Sequence, residues 1–120
     1  MIKTTIATVA LVVAGVAASA AQAHGKIVAS EPKADGELQA APKYIRLRFN
    51  EALEPAFSKI GLVDAKEVAI TLPKATVDKN DPKVIFTEVP ALEPGRYRVR
   101  WTAMTHDGHK TQGEFGFKVN

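Results

Sequence analysis

Residues 92–101, with the sequence LEPGRYRVRW, are the stretch that decides the fold of this chain. Pro94 and Gly95 signal a tight turn, because proline fixes its own φ and glycine accepts backbone angles that other residues avoid. From Tyr97 to Trp101 an apolar or aromatic residue then recurs at every second position, with arginines between. Side chains alternate between the two faces of a strand, so this pattern predicts a strand with one face on a core.

A turn followed by a tyrosine and an alternating strand resembles the tyrosine corner of immunoglobulin-like sandwiches. The same alternation occurs in residues 43–50 and 115–119. Seven short strands are predicted in all, at residues 26–30, 43–50, 58–63, 67–72, 83–87, 95–105 and 115–119. The sequence therefore predicts an all-β fold, an antiparallel immunoglobulin-like Greek-key β-sandwich of about seven strands. Residues 33–42 are predicted to be a loop, because they contain turn residues and a proline.

The beginning of the chain has the pattern of an export signal. Lys3 supplies a positive charge, residues 6–18 are apolar apart from Thr8, and Ala21–Ala23 form a small-x-small cleavage site. An apolar run of about 13 residues is shorter than the roughly 20 that a membrane-spanning helix needs. We therefore expect residues 1–23 to be a cleaved signal peptide, and residues 24–120 to be one domain in the periplasm. An uncleaved membrane anchor is the alternative.

Composition narrows the choice of function. The chain has no cysteine, so the fold depends on its apolar core, and a thiolate metal site is excluded. The formal net charge is +3, and the basic residues are spread along the chain rather than clustered. This distribution is typical of a solvated surface. We therefore expect no nucleic-acid partner, and we expect a monomer.

The three histidines are the main candidates for a functional site. His24 would become the first residue after cleavage, and His106 and His109 lie in the segment THDGHK at residues 105–110. Consecutive strands of an antiparallel sandwich reverse direction. The start of the first strand, the end of the second near Glu51, and the end of the sixth should therefore meet at one pole of the domain.

The residues at this pole suit a copper ion. An N-terminal histidine offers both a free α-amine and an imidazole. Asp107 and His109 are two residues apart, so in an extended loop their side chains point the same way, and Gly108 permits the backbone angles required. Three nitrogens and one carboxylate oxygen in a tetragonal arrangement favour Cu(II). By itself Asp-Gly-His is an ordinary turn, so the hypothesis depends on the pairing with His24; His106 is an exposed neighbour or a weak fourth ligand.

Taken together, these segments resemble the CopC family of periplasmic copper-binding proteins. The matching segments are His24-Gly25-Lys26, Ser30-Glu31-Pro32, residues 47–51 and 92–97, Trp101 followed by Asp107-Gly108-His109, and residues 113–119. They extend over essentially the whole of residues 24–120. The resemblance implies one Cu(II) ion per chain, bound by the amine and imidazole of His24 together with Asp107 and His109.

The resemblance also implies further properties. Glu51 corresponds to a carboxylate near the metal in some members, where it lies just outside the ligand set or binds weakly. The implied role is copper sequestration, homeostasis or resistance, or delivery to an inner-membrane copper transporter of the CopD type. Some members carry a methionine-rich loop that binds Cu(I). Residues 56–72, the corresponding region, contain neither methionine nor histidine, so only Cu(II) is expected.

Three rival functions remain open. The first is enzymatic, because a copper-chelating N-terminal histidine also resembles the histidine brace of copper-dependent oxidative enzymes that act on polysaccharides. Those chains are usually much longer and bind substrate on a flat aromatic surface, whereas this chain has one Trp and two Tyr. We therefore expect that the protein is not an enzyme. The second rival is a metal-free immunoglobulin-like interaction module, and the third is a periplasmic zinc-binding protein that uses the same ligands.

Overall fold

The computed structural model describes residues 26–120, which form nine β-strands. The strands are β1 (Ile27–Glu31), β2 (Gly36–Leu38), β3 (Tyr44–Phe49), β4 (Lys59–Asp64), β5 (Ala69–Ile70), β6 (Thr76–Val77), β7 (Val84–Glu88), β8 (Gly95–Met104) and β9 (Lys110–Val119). A 3₁₀ turn at Pro55–Phe57 precedes β4. The predicted signal peptide and His24 lie outside the described residues. Within those residues, no helix has the length and apolar character required to cross a membrane.

The strands form two sheets that pack face to face. One sheet has the order β1-β3-β7-β6, and the other has the order β2-β9-β8-β4-β5. The predicted all-β sandwich is confirmed, with three corrections. The described residues contain nine strands rather than about seven, and β2 falls inside the predicted loop at 33–42. β2 also pairs parallel with β9, whereas every other strand pair described is antiparallel.

The core lies between the two sheets and follows the predicted alternation. Ile45, Leu47 and Phe49 on β3 are at most 1% exposed, and the residues between them face solvent. Trp101 on β8 meets Phe49 edge to face, with ring centroids 5.1 Å apart. This contact joins the two sheets at the end of the sandwich where β3 and β8 finish. Every buried side-chain nitrogen or oxygen in the described residues has a hydrogen-bond partner.

The predicted tyrosine corner is present. The Tyr97 hydroxyl donates to the Glu93 carbonyl oxygen at 2.5 Å. The ring stacks on Phe117 of β9, with centroids 5.5 Å apart. Burial raises the pKa of Tyr97 above its ordinary value, and the nearby carboxylates of Glu93 and Asp64 add to this effect. This corner fixes the entry of the chain into β8, whose far end leads into the Asp-Gly-His segment.

Four exposed arginines are paired with carboxylates rather than merely solvated. On the outer face of β8, Arg98 and Arg100 both form ion pairs with Glu67 and Glu114. On β3, Arg46 and Arg48 pair with Asp78 and Asp81. All four arginine side chains remain about half exposed, so each isolated pair contributes little to stability. Both networks face away from the core.

Candidate metal centre

The beginning of the described chain is tied to the end of β3. The Lys26 amide donates to the Asn50 side-chain oxygen at 2.9 Å, and the Asn50 amide donates to the Lys26 carbonyl at 3.0 Å. Ile27 also pairs with Phe49 in the β1–β3 ladder. The residue two positions after His24 is therefore fixed beside residue 50.

The segment after β3 is also hydrogen bonded to the end of β8. Leu53 and Thr105 form an isolated antiparallel bridge. The Glu54 amide donates to the Met104 carbonyl at 2.8 Å, and the His106 amide donates to the Ala52 carbonyl at 3.2 Å. Main-chain bonds thus connect the start of β1, the end of β3 and the Asp-Gly-His segment at one pole. For the described residues, this is the arrangement that strand parity predicts.

The Asp-Gly-His segment is a tight turn, not the extended loop that the sequence suggested. The Gly108 amide donates to the Thr105 carbonyl at 2.9 Å, and the Thr105 amide donates to the His109 carbonyl at 3.0 Å. Gly108 has φ of 88°, a left-handed conformation that glycine adopts at little cost. The turn, rather than strand-like alternation, brings the side chains of Asp107 and His109 together.

The Asp107 carboxylate organises this turn. Its Oδ1 accepts a hydrogen bond from the Thr105 hydroxyl and a second from the His109 amide at 3.3 Å. Its Oδ2 lies 2.9 Å from His109 Nδ1. The hydrogen bond from Thr105, followed by that from the His109 side chain, lowers the pKa of Asp107 from 3.8 to about 2. The carboxylate is therefore ionised throughout the neutral and mildly acidic range.

Asp107 Oδ2 and His109 Nδ1 have the spacing of two neighbouring metal ligands. Ligands about 2.0 Å from a metal and at right angles to each other lie about 2.8 Å apart. The separation of the two atoms is 2.9 Å. In the metal-free protein a proton on Nδ1 can bridge them, and a cation that displaces this proton meets both atoms with little rearrangement. The two side chains are 44% and 59% exposed, so an ion has direct access to them.

The remaining predicted residues occupy different positions around this pair. His106 Nε2 lies 3.5 Å from Glu54 Oε1, so its side chain is directed to the segment after β3. Glu51 is half buried and lies in that same segment, directly after Asn50. Between residues 26 and 120, no group of three or more His, Cys, Asp or Glu side chains forms a metal site. His24, the third ligand predicted, lies outside that range, so the ligand set stays a prediction.

Thr105 is the residue of this pole that the sequence reasoning missed. It is 1% exposed, yet its hydroxyl is directed at the Asp107 carboxylate. The available signal was a threonine two residues before an aspartate, at the end of an alternating strand. Serine and threonine in such positions commonly bond to local turn groups.

Solved structures define the class of protein. The crystal structure of CopC from Methylosinus trichosporium OB3b matches with a TM-score of 0.77 at 30% identity, covering 81% of this chain and 94% of that one. PcoC, described as a methionine-rich copper resistance protein from Escherichia coli, matches with a TM-score of 0.70 at 32% identity, covering 82% and 100%. The fold is thus the β-sandwich of copper resistance proteins.

Sequence relatives agree with this class. Copper resistance protein C of Pseudomonas syringae pv. tomato is 38% identical over 118 residues, covering 92% of this chain and 93% of its own. Protein YobA of Escherichia coli K12 is 35% identical over 98 residues, covering 81% and 79%. The copper transport protein CutJ of Bacillus subtilis is 29% identical over 98 residues, which are 81% of this chain and 18% of CutJ.

The family assignment follows from these matches. The CopC domain model matches residues 27–120, and the chain belongs to the CopC family. The resemblance inferred from the sequence is confirmed. Membership gives the chain a role in copper binding, with the copper ion as its partner.

Proposed function

We propose that the protein binds one Cu(II) ion in the periplasm, after removal of residues 1–23, and serves in copper sequestration and resistance. The ligands are the α-amine and imidazole of His24, the Asp107 carboxylate and the His109 imidazole. Glu51 is a nearby carboxylate, outside this set or weakly bound. The protein acts as a monomer and as a carrier of the ion, not as an enzyme.

The observation that carries this proposal is the 2.9 Å pair of Asp107 Oδ2 and His109 Nδ1 at the pole where Lys26 is anchored. Two residues of extended chain span at most about 7 Å, so His24 is restricted to the neighbourhood of Lys26. Lys26 is bonded to Asn50, and Ala52 is bonded to the turn. The chain therefore needs no rearrangement of its strands to bring an N-terminal histidine towards the pair.

The donor set supports Cu(II) rather than Cu(I) or Zn(II). Imidazole and amine nitrogens with one carboxylate suit Cu(II), which stands above Zn(II) in the affinity series, whereas Cu(I) prefers thiolate or thioether sulfur. The described residues contain one methionine, Met104, and no cysteine. This composition differs from that of PcoC, which is described as methionine rich. We therefore expect a single Cu(II) site per chain.

Copper affinity of the processed protein, residues 24–120, tests the proposal. Competition with a chelator of known affinity is measured for the wild type, His24→Ala and His109→Ala. Each substitution is expected to weaken binding by at least about 10-fold, because it removes a ligand of the ion. His106→Ala is the matched control, since its side chain contacts Glu54 rather than Asp107. Wild-type affinity in a variant lacking both His24 and His109 would refute the site.

Delivery of the ion to a membrane transporter is the second part of the proposal. The specific support is that CutJ, named as a copper transport protein, contains a region similar to this chain as 18% of its length. A domain that makes up nearly all of copper resistance protein C and also occurs within a transport protein suits a donor to an inner-membrane transporter of the CopD type. Copper uptake by cells that express such a transporter should depend on this protein and fall with His109→Ala. Equal uptake with and without the protein would leave sequestration as its role.

A further inference from the structure

The hydroxyl of Thr105 is buried beside the metal-facing turn and is not used by the proposed ligand set. Thr105 is 1% exposed, and its backbone is fixed by the bridge to Leu53 and by the bonds to Gly108 and His109. Its hydroxyl carries a single proton, and it contacts Asp107 Oδ1 more closely than the His109 carbonyl, which is 3.4 Å away. The proton is therefore donated to the carboxylate.

The two oxygens of Asp107 consequently have different surroundings. Oδ1 accepts from the Thr105 hydroxyl and the His109 amide, and these two bonds hold it against the turn. Oδ2 is left on the side of His109 Nδ1, at 2.9 Å. An aspartate carboxyl rotates broadly about its terminal bond unless hydrogen bonds restrict it. The Thr105 hydroxyl supplies one of those restrictions from a rigid, buried position.

We infer that Thr105 is a positioning residue for the copper site, which presents Asp107 Oδ2 to the metal by holding Oδ1 in the turn. This inference rests on the proposed function. Groups that orient a metal ligand typically change metal affinity by about 10- to 100-fold when they are removed. The hydroxyl acts on the ligand and does not contact the ion.

Substitutions at Thr105 separate the hydroxyl from the rest of the side chain. Thr105→Val keeps the shape and removes the hydroxyl, whereas Thr105→Ser keeps the hydroxyl and removes the methyl group. Thr87→Val is the matched control, because Thr87 is another buried threonine, 3% exposed, whose hydroxyl donates to the Pro73 carbonyl at 2.9 Å. Thr105→Ala tests the same point should the valine variant not fold.

Chelator competition on residues 24–120 gives the main result. Thr105→Val is expected to weaken Cu(II) binding by about 10- to 100-fold, with an altered copper hyperfine splitting in the EPR spectrum. Thr105→Ser is expected to remain within a few-fold of the wild type. Thr87→Val should keep wild-type affinity and an unchanged EPR spectrum despite a comparable loss of thermal stability.

Solution NMR of the copper-free protein provides a second readout. The His109 amide donates to Asp107 Oδ1, so its resonance should shift in Thr105→Val and return towards the wild type in Thr105→Ser. The Gly108 amide donates to the Thr105 main-chain carbonyl and serves as the internal reference.

The outcomes distinguish the inference from the function on which it rests. Near-wild-type affinity in Thr105→Val, alongside a weakened Asp107→Ala, overturns the inference and leaves the proposed function intact. Equal weakening by Thr105→Val and Thr105→Ser, or by Thr105→Val and Thr87→Val, also overturns it, because packing or general stability would then be responsible. Equal affinity of the wild type, Asp107→Ala and His109→Ala refutes the proposed function, and the inference with it.

Discussion

At the scale of single residues, Asp107 determines how the candidate site is shaped. One of its oxygens closes the turn, and the other faces His109. The same side chain therefore stabilises the local fold and supplies one atom of the proposed ligand set. This double role has a consequence for stability that is measurable without copper.

Asp107→Asn should change the acid dependence of stability in the copper-free protein. The pKa of Asp107 is about 2 in the folded chain, below the ordinary value of 3.8, so the ionised carboxylate stabilises the fold. This contribution is complete above the ordinary value and is lost as the pH falls towards 2. Urea unfolding should show the asparagine variant less stable at pH 6, with the difference disappearing near pH 2. A difference independent of pH would contradict the assigned hydrogen bonds.

The sequence predicted the pairing of Asp107 and His109 but not its cause. Spacing by two residues suggested neighbouring side chains on an extended loop, whereas a turn at Gly108 brings them together. Turn formation here depends on Thr105, whose position is set by its bridge to Leu53, more than fifty residues earlier in the chain. Such a long-range main-chain contact leaves no periodic signal in a single sequence. The Glu54–His106 pair was missed for the same reason.

At the scale of elements, the tyrosine corner before β8 and the β8–β9 ladder fix the two strands that the Asp-Gly-His turn connects. The corner is a local pattern of turn, tyrosine and alternating strand, and the sequence predicted it directly. β2 could not be predicted in this way, because its three residues, Gly36–Leu38, are too few for a recognisable alternation and form a strand by pairing with β9. β9 was likewise predicted only at residues 115–119, where apolar residues alternate. It begins at Lys110, because residues 110–114 pair with β8.

Tyr97→Phe should destabilise the fold by about 1 kcal/mol, the usual net value of one hydrogen bond. The variant keeps the stacked ring and removes only the hydroxyl that donates to the Glu93 carbonyl. Chemical denaturation measures the free energy of unfolding. Tyr44→Phe is the control: this side chain is 51% exposed and the change should have almost no effect. Equal effects of the two substitutions would show that the corner does not contribute through its hydrogen bond.

Gly113→Ala should disturb the contact between β9 and the Trp101 ring. A Cβ at position 113 would lie 2.6 Å from Trp101 Cζ2, so the ring must move and its edge contact with Phe49 must change. Overpacking of this kind costs about 1–3 kcal/mol, and the tryptophan emission should shift. Gly61→Ala is the control, because its added carbon would meet the Arg100 carbonyl at 3.7 Å, an ordinary contact. A stable variant with unchanged emission would contradict the packing described.

At the scale of the whole molecule, the proposed ligands come from segments that lead into both sheets. Lys26 leads from His24 into β1 of the four-stranded sheet, whereas the Asp107–His109 turn joins β8 and β9 of the five-stranded sheet. An ion bound by ligands from both sides should therefore stabilise the entire sandwich. The stabilisation follows mass action and reaches about 2.7 kcal/mol at a free copper concentration 100 times the Kd.

One extra residue before His24 should abolish most of this effect. The addition converts the α-amine into an amide, which no longer offers a basic nitrogen to the ion, so copper affinity should fall by orders of magnitude. Thermal unfolding with and without Cu(II) is measured for residues 24–120 and for the same chain carrying one additional N-terminal alanine. Without copper the two proteins should unfold at the same temperature. With copper, residues 24–120 should unfold at the higher temperature. An equal rise in unfolding temperature on addition of Cu(II) to both proteins would exclude the terminal amine as a ligand.

The position of β1 at the edge of its sheet has a consequence for the proposed delivery of copper. β1 pairs with β3 alone within the sheet, and its register shifts between Ile27 and Ala29. A short, irregular edge strand is held by few main-chain bonds, so it opens at a lower free-energy cost than a central strand. Under the proposed function, a receptor that captured this strand by adding it to its own sheet would draw the proposed ligand His24 away from the ion. The ion would then be released by local opening of one edge strand, while the rest of the sandwich stayed folded.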